Sequence, residues 1–145
     1  METVVVLLLC LPTHFGGYGL PIPVLNYRVK VSGHALTITS KSHLRCDLCW
    51  PEFNLCVEYD SDWAHTGSDK IASDASRRIA LTYLGMQVVT ATRKQVKNSI
   101  EMDRVAVVLA QQLGVTLRTR KPDWRKVQMQ LRAQLLDFSN RGFCR

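Results

Sequence analysis

Three carboxylates stand close together near the middle of this sequence. Asp47 lies in Cys46-Asp47-Leu48-Cys49, and Glu58 and Asp60 lie in Cys56-Val57-Glu58-Tyr59-Asp60. Both segments read as β-strands, and Pro51-Glu52-Phe53-Asn54 between them has the composition of a hairpin turn. Side chains alternate along a strand, so Glu58 and Asp60 share a face. A turn centred on Glu52-Phe53 sets Asp47 opposite Glu58, with Cβ atoms roughly 4.5–5.5 Å apart. Like charges facing each other destabilise a sheet, and a divalent cation is the natural remedy. Mg²⁺ takes one or two carboxylates together with phosphate oxygens and water. Held there, it can polarise a phosphodiester and supply a hydroxide nucleophile. Acids on strands more often line a wet face. Here the flanks Leu55, Cys56 and Val57 are apolar and three acids converge, which favours a site.

The elements that must position these acids can be read from periodicity. Thr3 to Leu11 is an apolar run closed by Pro12, expected to be a buried helix. Gly16 to Pro23 is punctuated by Gly and Pro and reads as loop. Asn26 to Val31, His43 to Trp50 and Leu55 to Asp60 read as strands. Ser68 to Leu84 has helical spacing, and Gly85 ends it. Met86 to Ala91 is a short buried strand. Glu101 to Leu113 and Asp123 to Leu136 are two further amphipathic helices. A hairpin followed by a strand–helix–strand crossover makes an α/β fold with a mixed sheet flanked by helices.

Length and charge narrow the classes. The chain has 145 residues, 46% hydrophobic and 21% charged, which suits a globular domain and not a disordered one. The net charge is +7, and residues 115–145 contribute most of it. That segment holds Arg118, Arg120, Lys121, Arg125 and Lys126, candidates for gripping the phosphates of DNA, together with Arg132, Arg141 and Arg145. It is expected to be a basic helical extension (115–145) beyond an α/β core (1–114). No stretch approaches the ~18 apolar residues of a membrane span, and Met1 to Pro12 lacks the positive flank and cleavage site of a secretion signal. Five cysteines, an odd number, suggest reduced thiols and a cytoplasmic location. Cys46 and Cys49 fall on opposite faces of a regular strand, a poor arrangement for zinc. Trp63 beside His65 is expected to cover the core, although it could stack on a base.

The order and spacing of these motifs resemble the PD-(D/E)XK restriction-endonuclease-like superfamily, in its very-short-patch-repair endonuclease-like branch. The residues that carry the resemblance are Asp47, Glu58-Tyr59-Asp60, a helix bearing Asp74-Ala75-Ser76-Arg77, and Leu84-Gly85-Met86-Gln87-Val88-Val89, over about Leu44 to Thr92. It implies an αβββαβ core, here followed by extra C-terminal helices. It further implies Asp47 and Glu58 as ligands of Mg²⁺ or Mn²⁺, and Asp60 where the superfamily usually has Lys. His65 would be an acid–base residue, with Asp74 and Arg77 as a supporting pair. Where the branch usually has Gly soon after Glu-x-Asp, this chain has Ser61-Asp62-Trp63-Ala64. The resemblance implies a metal-dependent endonuclease acting on DNA, and enzymes of this type often form homodimers. The competing expectation is a catalytically degenerate nucleic-acid-binding or regulatory module on the same fold, of the toxin–antitoxin or defence kind.

Overall fold

The computed structural model describes residues 1–60, 68–119 and 122–140; for 68–70 and 138–140 it describes the helix but not the side chains. Contacts divide the chain into two compact units, Met1–Ile22 with Lys94–Arg145, and Pro23–Arg93. Residues on both sides of position 114 therefore belong to the first unit.

The Pro23–Arg93 unit is α/β. Its strands are β1 (Val24–Lys30), β2 (His43–Trp50), β3 (Leu55–Asp60) and β4 (Gln87–Thr92), arranged in the order β1-β2-β3-β4. β1, β2 and β3 are antiparallel neighbours, and β4 runs parallel to β3. The β2–β3 turn closes as a short 3₁₀ turn at Pro51–Phe53, with Asn54 at φ 48°. Asn is among the few residues that tolerate this left-handed conformation. Leu48 pairs with Val57, Cys49 with Cys56 and Trp50 with Leu55, the register expected from a turn centred on Glu52-Phe53.

The unit's helices are α2 (Ala35–Ile38), which the periodicity does not reveal, and α3 (Ser68–Tyr83). α3 supplies the crossover that a parallel β3–β4 pair requires. Gly85 at φ 81° ends it, where a side chain would be strained. Ala80 and Leu81 of α3 pack with Val31, Ala35, Leu44, Cys46, Cys49, Cys56 and Met86 in one buried cluster. Cys46 and Cys49 are thus in the same cluster, not on opposite sides of the sheet. The pleat is disturbed between them: Asn26, which the flanking register sets opposite Asp47, adopts φ 53°.

The other unit is helical, with α1 (Glu2–Cys10), α5 (Ser99–Gln112) and α6 (Trp124–Asn140); α4 (Arg93–Lys97) begins at its boundary. α1 buries Val4, Val5, Leu8 and Leu9. Asn98 caps α5, its side-chain oxygen accepting from the N–H groups of Ile100 and Glu101. Gly16 and Gly17 are required by close approach. A Cβ on Gly16 would lie 2.7 Å from the Val127 carbonyl oxygen of α6, and one on Gly17 would lie 2.0 Å from the Leu11 oxygen. No helix among the described residues is long and apolar enough to cross a membrane.

Candidate nucleic-acid interface

Asp47 lies on β2 and Glu58 and Asp60 on β3, but the ladder stops one pair short of Asp47 and Glu58, and both of these acids are engaged by the protein's own donors. Asp47 accepts a hydrogen bond through Oδ2 from the Tyr59 N–H at 2.9 Å. Its carboxylate takes a backbone donor of β3 beyond the last paired residues of the ladder, Leu48 and Val57. Glu58 is half-buried, and its Oε1 lies 2.6 Å from Nη2 of Arg77 on α3. The same Nη2 donates to the Arg45 carbonyl oxygen of β2. The Glu58 contact is a close ion pair without hydrogen-bond alignment, since Oε1 is buried and has no geometric donor. Burial pushes the Glu58 carboxyl above the ordinary glutamate range. Arg77 works against that rise, and the nearby Asp47 charge adds to it.

Arg77 therefore stands where a cation serving Glu58 would stand. Asp74 lies one helical turn before it on the same α3 face and lines the adjacent cleft, without an ion pair to Arg77. Among the described residues, no three His, Cys, Asp or Glu side chains come together so as to hold a metal ion. Asp47 Oδ2 is taken by a backbone N–H and Glu58 Oε1 lies against a guanidinium. Asp60 ends β3 opposite Thr92 of β4 and is partly buried. His65, Trp63, Arg120 and Lys121 lie outside the described residues.

Beside these acids is a cleft of about 290 Å³ lined by Lys41, His43, Leu44, Arg45, Asp47, Ser73, Asp74 and Arg77. Lys41, His43 and Arg45 are exposed, and sequence reasoning missed all three. A signal was present: in His43-Leu44-Arg45-Cys46-Asp47, polar and apolar residues alternate, which puts His43, Arg45 and Asp47 on one face. Arg77 is committed to Glu58, so the cations the cleft can offer an anion are Lys41 and Arg45, set against Asp47 and Asp74; a guanidinium such as that of Arg45 matches phosphate geometry well.

The basic C-terminal segment is less available than its composition suggests. Arg125 grips both oxygens of Asp103, at 3.2 and 2.7 Å, and lies over the Trp124 ring. Tyr18 donates to the same carboxylate at 2.6 Å. Burial raises the Asp103 carboxyl, but the Arg125 and Tyr18 hydrogen bonds outweigh it and hold the group below the ordinary aspartate range. Arg132 is buried and donates to the Val96 carbonyl oxygen at 2.6 Å. Of the five candidates, Arg118, Arg125 and Lys126 are exposed, and Arg125 among them is already paired with Asp103.

No family model, curated protein or solved structure matches this chain.

Proposed function

We propose that this chain is a nucleic-acid-binding module on an α/β scaffold, holding phosphate at the β2–α3 cleft without hydrolysing it. The observation that carries the reading is Arg77: the guanidinium of α3 neutralises Glu58, the acid that a nuclease would spend on its metal. The rest of the cleft wall adds Lys41 and Arg45, two exposed cations that offset Asp47 and Asp74 and can donate to phosphate oxygens. Phosphate contacts of this kind position a nucleic acid without reading its sequence, and their strength falls steeply with salt.

The test pairs binding with turnover. Fluorescence anisotropy of a labelled oligonucleotide should show salt-sensitive binding that Lys41→Gln weakens. Asp47→Asn and Glu58→Gln each remove a negative charge at the cleft and should maintain or strengthen that binding, and Mn²⁺ titration should detect no site that depends on either acid. Mg²⁺- or Mn²⁺-dependent cleavage of plasmid that disappears in Asp47→Ala would overturn the reading in favour of a nuclease.

A further inference from the structure

His43 and Arg45, which line the cleft, also belong to a basic patch on the sheet. Arg28 of β1 lies directly opposite Arg45 of β2, and Lys30 directly opposite His43. All four are exposed, while Tyr27, Val29, Leu44 and Cys46 between them pack toward the core cluster. Two basic pairs therefore form a grid, roughly 5 Å across the strands and about 6.7 Å along them. Like charges directly opposite are unfavourable in a sheet. Among the described residues no carboxylate forms an ion pair with Arg28, Lys30, Lys41 or Arg45.

Protection of a sheet edge explains only half of this arrangement. β1 is an edge strand, and cations there discourage pairing with another chain. β2 is internal, so Arg45 and His43 have no edge to protect. The same β1 strand exposes Leu25, at 51% of its full accessible surface, on the face away from Val24, whose partner Cys49 belongs to the core cluster. Cations beside an exposed apolar side chain suit a strand whose bases are unpaired, because a duplex keeps its base faces stacked inside.

We propose that a single strand of nucleic acid crosses the exposed β1–β2 face. Its phosphates follow Arg28, Lys30, Arg45 and Lys41, with His43 as an additional donor, and a base rests against Leu25. This rests on the nucleic-acid reading above and adds the strandedness and the track.

The test is anisotropy across a salt titration with labelled oligothymidylate and with an oligo(dA)·oligo(dT) duplex, on the wild type and on Arg28→Gln/Lys30→Gln. These exposed changes leave the core intact, and a circular-dichroism melt checks that. The wild type should prefer oligothymidylate. In the double variant, the slope of log K against log salt should shrink by about 1.4, at roughly 0.7 for each lost single-strand contact. Leu25→Ser should weaken binding with the slope unchanged. Wild-type binding whose slope is the same in the double variant overturns the track but leaves the nucleic-acid reading standing. Preference for the duplex overturns the strandedness. Absence of binding to either probe overturns both.

Discussion

Replacing Arg77 by Met removes the guanidinium that Glu58 and the Arg45 carbonyl share, while keeping most of the side chain's apolar stem. Glu58 is then left as a half-buried carboxylate whose neighbours include the Asp47 and Asp74 charges. Breaking a fully buried ion pair costs about 3–5 kcal/mol. The side chains here are 28% and 17% exposed, so water screens part of the loss, and about 2–3 kcal/mol is the expected cost near neutral pH. For a chain of this size that is a fall of roughly 6–10 °C in Tm. The loss should depend on pH in a definite direction. Burial already raises the Glu58 pKa, and without Arg77 it rises further. Such a carboxyl binds more protons folded than unfolded, so its contribution is complete below the unfolded value, about 4.3, and is lost as pH rises through the folded value. The variant should therefore lie close to the wild type in mild acid and diverge from it toward pH ~8. Differential scanning fluorimetry across that range measures the divergence, and Arg77→Met/Glu58→Gln should recover most of it. An Arg77→Met deficit equal at both ends of the range, or unrelieved by Glu58→Gln, would refute the pairing argument.

Asp47 should behave as a backbone cap. Asp47→Asn keeps an acceptor for the Tyr59 N–H and should cost under about 1 kcal/mol, whereas Asp47→Ala strands that donor and should cost about 1–3 kcal/mol; urea unfolding separates the two, and equal losses would dismiss the role. Gly17→Ala should destabilise the helical unit by more than about 3 kcal/mol, because its Cβ would collide with fixed Leu11 backbone and not with a movable side chain; a near-normal Tm would show that the approach can relax. Tyr18→Phe should cost about 1–2 kcal/mol, since Asp103 keeps both Arg125 contacts after losing the phenol; a measured loss of nothing would mean that the phenol bond adds no stability.

The sheet was largely legible because its signals are local. His43–Trp50 and Leu55–Asp60 are recoverable to the residue from alternation and from one turn sequence, and the turn fixes their register. Alternation failed first at Cys46 and Cys49, which share one cluster; across from the segment between them, Asn26 of β1 takes a left-handed conformation that no pattern within β2 reports. It was silent about α2, four residues too short to show a period.

The site was legible as a juxtaposition and not as a chemistry, for a related reason. Spacing brings Asp47 beside Glu58, but what each oxygen binds depends on groups far away in sequence. The partner of Glu58 arrives on α3, and its place is set by how Ala80 and Leu81 dock on the sheet. The donor to Asp47 is a main-chain N–H, which carries no residue-type signal at all. Basic residues behave the same way in reverse. The densest run, near the C-terminus, loses Arg125 to Asp103 and Arg132 to the helical core. The sparser Arg28, Lys30 and Arg45 gain weight only when pairing brings them side by side. Charge counted along a chain is a poor guide to charge offered at a surface, since a guanidinium with a carboxylate already in hand has little left for a phosphate.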